Sequence, residues 1–195
     1  VHRTIWTAFS LIITTSLFSK WNTFFSLLKK KRELIYLLIT GILIFCNWST
    51  WIYAVVTNKL IDASFGYFIM PILSVFFGII FLKEPYNLQK ITSVTLVSIS
   101  ITYLLINFGS VPWTGLIVAF TWATYSLLRK IINVESDIGL LIESLFVAPI
   151  ALIIFYLITL DGNYYFSLSD PKIAFWLFLA GPMTVIPLFL FLKGV

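Results

Sequence analysis

Glu143 is the residue in this chain best placed for chemistry. It stands about one and a half helical turns into an apolar run, residues 138–160, roughly a quarter of the way across a hydrocarbon core. A carboxylate facing lipid there costs roughly 2.5 kcal/mol or more, so it is expected to face a helix bundle or a wet cavity. It could take up a proton or hold a cationic group of a substrate. It could equally close a structural ion pair with Arg129 or Lys130, which the short preceding loop brings within snorkelling reach.

A second polar cluster, Asn47-Trp48-Ser49-Thr50-Trp51 followed by Tyr53, lies in the middle of another apolar run. Asn47, Thr50, Trp51 and Ala54 share one helical face. An amide at that depth offers donors and an acceptor to a substrate beside a flat indole wall, or it bonds one helix to the next. Residues 63–71, Ala-Ser-Phe-Gly-Tyr-Phe-Ile-Met-Pro, place small residues before Pro71, which deprives the Tyr67 carbonyl of its helical donor. Such a break serves either a moving gate or a static kink, and Gly181-Pro182 with Pro187 offer the same choice.

Catalysis has no visible constellation. His2 is the sole histidine and Cys46 the sole cysteine, which excludes a His-rich metal centre and an internal disulfide. No glycine-rich phosphate loop precedes a helix, and the acidic residues other than Glu143 fall in loops or at the ends of runs. A retinal Schiff base would need a lysine inside the last run, whereas Lys193 ends it. The expectation is a non-enzyme without metal or cofactor.

These residues need a lipid-embedded scaffold. The chain is 60% hydrophobic and only 11% charged, with a mean hydropathy of +1.01, far from the quarter charged of a soluble domain. Seven apolar runs, residues 5–18, 34–56, 63–82, 88–106, 113–128, 138–160 and 173–192, approach the ~20 residues of a membrane helix; the first and fifth are short. The connections 19–33 and 161–172 hold no soluble domain, although residues 21–28 could lie in the interface. The fold class is therefore all-α and integral to the membrane, a multi-span helical bundle.

The net charge of +5 reflects topology, not nucleic acid, because the basic residues cap apolar runs instead of forming one stripe. Lys20, Lys29, Lys30, Lys31, Arg32, Lys83, Lys90, Arg129, Lys130 and Lys193 share one side; Arg3, Lys59 and Lys172 take the other. The richer side is expected to be cytoplasmic in a bacterial inner membrane. Seven spans then leave the N-terminus outside, an oddity that one preceding helix would remove.

Several stretches carry a resemblance. Asn47-Trp48 with Ile52-Tyr53-Ala54-Val55, Asp62 to Pro71, Phe81-Leu82-Lys83-Glu84-Pro85, Val111-Pro112-Trp113, Tyr125 to Lys130, Ile142-Glu143 and Thr184 to Leu188 resemble RarD-type permeases. These form part of the EamA group of the drug/metabolite transporter superfamily. The resemblance implies ten helices in two inverted five-helix repeats around a central substrate path. Residues 1–108 would be the remainder of the first repeat and 109–195 the start of the second, about helices 2 to 8. Met70 and Asp62 depart from the family pattern, which usually has asparagine and glutamate there.

The resemblance implies alternating-access transport or export of a small organic molecule, with a link to chloramphenicol sensitivity. On this reading Asn47, Trp48, Tyr67, Trp122, Tyr125 and Glu143 line the path, Glu143 handles protons or charge, and Pro71 and Pro187 are hinges. The expected partners are membrane lipids, a small-molecule substrate and a coupled proton. A rival reading is a non-transporting membrane interaction protein or truncated gene remnant, whose exposed polar faces would seek other chains.

Overall fold

The computed structural model describes residues 2–85, 87–160 and 171–194, with Phe108 described by its backbone alone. Each apolar run becomes a helix, because only a helix bonds its own backbone where water is absent. The described elements are α1 (His2–Leu17), α2 (Trp21–Leu27), α3 (Lys31–Val56), α4 (Leu60–Phe81), α5 (Leu88–Phe108), α6 (Trp113–Ile131), α7 (Ser136–Leu160) and α8 (Pro171–Gly194). The short α2 falls within the 19–33 connection. Of the 161–172 connection, residues 161–170 lie outside the described residues.

Most helices outrun their apolar cores by a few residues. Lys31 to Glu33 extend α3 and Arg129 to Ile131 extend α6, since long charged side chains bend toward water while their backbone stays helical. Among the described residues five helices, α3, α4, α5, α7 and α8, are long and apolar enough to cross a membrane. The 16-residue α1 covers only about 24 Å, and α6 carries Arg129 and Lys130 in its last turn; these correspond to the two short runs. Ends are set locally: the Asn87 side chain accepts from Lys90 N at 2.8 Å to start α5, and Gly109, at φ 72°, stops it.

The helices form two compact units, Val1–Ile42 with Ile132–Val195, and Leu43–Ile131. In the first, α1 packs on α7 and α8. Gly181 lets α8 meet the backbone of α1 at Trp6 and the Ser10 hydroxyl, and Arg3 Nε donates to Thr184 Oγ1 at 2.8 Å. In the second, α4 packs closely on α6 and more lightly on α5.

The α4–α6 crossing is made by backbone. A Cβ on Gly66 would lie 2.6 Å from the Gly115 carbonyl oxygen, and one on Gly115 would strike the Asp62 carbonyl and come within 3.0 Å of Gly66 N. Backbone atoms held in helices cannot rotate away as a side chain can. Gly115→Ala is therefore expected to destabilise the detergent-solubilised protein by about 1–3 kcal/mol, despite the better helix propensity of alanine. Gly194→Ala, with nothing within 4 Å of its added Cβ, serves as the neutral control in thermal unfolding.

Candidate functional site

Glu143 sits inside α7 where Ile138 to Ser144 are all buried, and only 2% of it is exposed. Thr40, fully buried on the first half of α3, donates its hydroxyl to Glu143 Oε1 at 2.7 Å. The same oxygen lies 3.2 Å from the Leu37 carbonyl, so its one hydrogen has two acceptors in reach. Gly41 makes the approach possible, since a Cβ there would stand 3.1 Å from the Glu143 carbonyl oxygen and 3.4 Å from Val147 Cγ2.

Thr40 and Gly41 were absent from the sequence-derived site. The signal existed: Thr40 precedes Asn47 by seven residues, hence on the same helical face. Leu37, Thr40, Ile44, Asn47 and Ala54 recur at that spacing and are all buried. The face read from sequence began at Asn47 and so stopped one polar group short.

In the other unit, Asn47 Nδ2 donates to the Val118 carbonyl and to Thr121 Oγ1, both at 3.0 Å. Both amide hydrogens thus join α3 to α6. Trp48 and Trp122 are half-buried, and Tyr125 is fully buried with its ring 5.8 Å from that of Trp122. Tyr67 is half-exposed and meets Trp51 edge-on at 5.3 Å. Pro71 and Pro187 lie exposed within the unbroken helices α4 and α8.

Charge collects at helix ends. Lys20 donates to Asp137 Oδ2 at 2.6 Å and Glu135 Oε2 at 2.7 Å, and these bonds, Asp137 first, raise the Lys20 ammonium above its ordinary 10.5. Lys130, one of the two cations weighed for Glu143, donates to Glu84 Oε1 at 2.9 Å. Lys90 Nζ lies 3.6 Å from Glu84 Oε2. The Lys130 hydrogen bond, then its charge, holds the Glu84 carboxyl below its ordinary 4.5. Among the described residues no group of three His, Cys, Asp or Glu side chains could hold a metal ion.

The chain is 32% identical to the protein RarD of Escherichia coli (strain K12) over 190 residues, which are 97% of this chain and 64% of that protein. It is 34% identical to an uncharacterized transporter of Vibrio cholerae (97% of this chain, 63% of that protein) and 34% identical to the uncharacterized transporter YojE of Bacillus subtilis (99% and 65%). The chain thus spans a little under two thirds of the curated relatives it matches. No family model matches it, and no solved structure does. With these relatives, the apolar helices mark a multi-pass bacterial membrane protein.

Asn47→Leu removes two hydrogen bonds but leaves Thr121 Oγ1 its own acceptor, the Ile117 carbonyl at 2.7 Å. The expected loss in detergent unfolding is therefore modest, about 1 kcal/mol. Glu84, a third exposed, stabilises the fold above pH 4.5, and this contribution is lost as pH falls below that through its lowered value. Glu84→Gln should accordingly flatten part of the acid limb of a stability-versus-pH curve, by no more than ~1 kcal/mol for so exposed a pair. The Lys20 contribution is fully present below pH 10.5 and fades only above it.

Proposed function

We propose that this chain, RarD-like along nearly its whole length, belongs to a secondary transporter that moves a small organic molecule across the bacterial inner membrane by alternating access. The observation that carries the reading is Glu143, almost wholly buried within an apolar helix and bonded to a hydroxyl on another. Ionisable groups kept at such depth are retained where a proton or a charged group must pass.

The Thr40 hydroxyl suits both charge states of Glu143. With the carboxylate ionised, Thr40 donates to it at 2.7 Å. With the carboxyl protonated, its O–H can donate to Thr40 Oγ1 while the threonine hydrogen turns to the Leu37 carbonyl at 3.2 Å. In both states the Thr40 hydroxyl and Glu143 Oε1 remain bonded. Trp48, Tyr67, Trp122 and Tyr125 would supply aromatic walls for an amphipathic substrate. A substrate contact from Asn47 would have to use its Oδ1, because its two amide hydrogens are committed to α6. Pro71 and Pro187 would act as hinges as residues 1–108 and 109–195, the parts of two repeats, rock about the path.

Aromatic walls would suit a small amphipathic molecule, and the resemblance to RarD-type permeases makes chloramphenicol the probe. The test is uptake of labelled chloramphenicol into proteoliposomes under an imposed pH gradient. Glu143→Gln is expected to lower gradient-driven flux at least tenfold, and Thr40→Val to lower it less. A Glu143→Gln protein that transports as well as the parent at every pH would sink the proton role. Unchanged flux with alanine at all six path positions would dispose of the path.

A further inference from the structure

Within the Leu43–Ile131 unit, α4 and α5 leave a groove of 420 Å³ between them. Ile72, Phe76 and Ile79 form one wall, Ile91 and Val94 the other, and Lys90 stands at its mouth. The helices run antiparallel through the short 82–87 connection, so Ile79 and Lys90 mark one end and Ile72 the deeper one. From Ile72 to Ile79 the groove is about 10 Å long. Thr95, the one other polar side chain on it, turns its hydroxyl back to the Ile91 carbonyl at 2.9 Å. The interior is thus hydrocarbon throughout, and charge appears only at the mouth.

That charge is positive. Lys90 and Lys130 both face the single carboxylate of Glu84, two charges against one. Lys90 Nζ donates to the Pro85 carbonyl at 3.2 Å and faces Glu84 Oε2 at 3.6 Å, which leaves a third donor for an outside acceptor. The mouth also lies on the lysine-rich side read as cytoplasmic. There anionic lipids attract basic residues beside a membrane span.

The groove is open along its length of about 10 Å and apolar on both walls, which suits an acyl chain.

We propose that this groove is a binding site for an anionic phospholipid, one acyl chain lying against Phe76, Ile79 and Val94 and its phosphate accepting from Lys90. The inference needs only that the chain sits in a bilayer; it does not depend on transport. Lys90 then has two jobs, bracing Glu84 and holding a headgroup.

Native mass spectrometry of the whole chain, released from micelles holding equal phosphatidylglycerol and phosphatidylethanolamine, reads the site. The parent is expected to retain one phosphatidylglycerol in preference. Lys90→Gln should weaken that preference about fivefold, the effect of one lysine at an anionic surface. Val94→Trp, filling the groove, should remove the adduct altogether, while Lys31→Gln, in the separate basic cluster, should leave it unchanged. Helicity by circular dichroism and a monodisperse profile establish that each variant is folded. Equal retention of both lipids by the parent overturns the proposal, as does an adduct lost equally in Lys31→Gln and Lys90→Gln. Cysteine crosslinks at Ile91 between two copies of the chain, with no lipid retained, overturn it in favour of a protein occupant.

Discussion

A hydroxyl, amide or carboxylate carried into hydrocarbon finds no water, and its partner must come from the protein. Most of the hydroxyls here solve this within their own helix. Ser10, Thr50, Ser64, Thr92, Thr95, Ser100 and Thr102 all donate to a carbonyl four residues back. Such residues add little to the joining of helices. Others reach across to a second helix, among them Thr40 to Glu143, Asn47 to Val118 and Thr121, Asp62 to Gly115 N, and Arg3 to Thr184.

Close packing supplies the rest, because lipid tails are as apolar as leucine and give no hydrophobic incentive for helices to associate. Gly66 against Gly115 and Gly181 against Trp6 bring backbones within contact. Gly41 does the same for α3 and α7, and it is this contact that brings the Thr40 hydroxyl to the Glu143 carboxylate. Small residues and crossing hydrogen bonds are therefore one device, as a hydroxyl of one methylene reach bonds across only where the helices nearly touch.

Charge is managed at the ends instead of the middle. Lys20 with Asp137 and Glu135, and Glu84 with Lys130 and Lys90, are partly exposed clusters where water still solvates the ions. They tie loops to helix ends at little cost in desolvation, and each contributes little on its own. Glu143, within α7, and Arg129, in the last turn of α6, are the two buried charges among the described residues.

The sequence by itself determined the number, approximate bounds and apolar character of the long helices, because a backbone in lipid has one stable course and hydropathy marks where lipid is. Local pattern also placed a carboxylate, Glu143, inside an apolar run and carried the resemblance to RarD. It did not reveal that Lys130 goes to Glu84, that the Asn47 amide serves the α3–α6 contact, or that Thr40 donates to Glu143. Those depend on which faces meet and at what height, which glycine-to-backbone crossings set to a fraction of an ångström. Tertiary structure alone decided them, since partners such as Thr40 and Glu143 stand 103 residues apart and no periodicity within one helix encodes its neighbour.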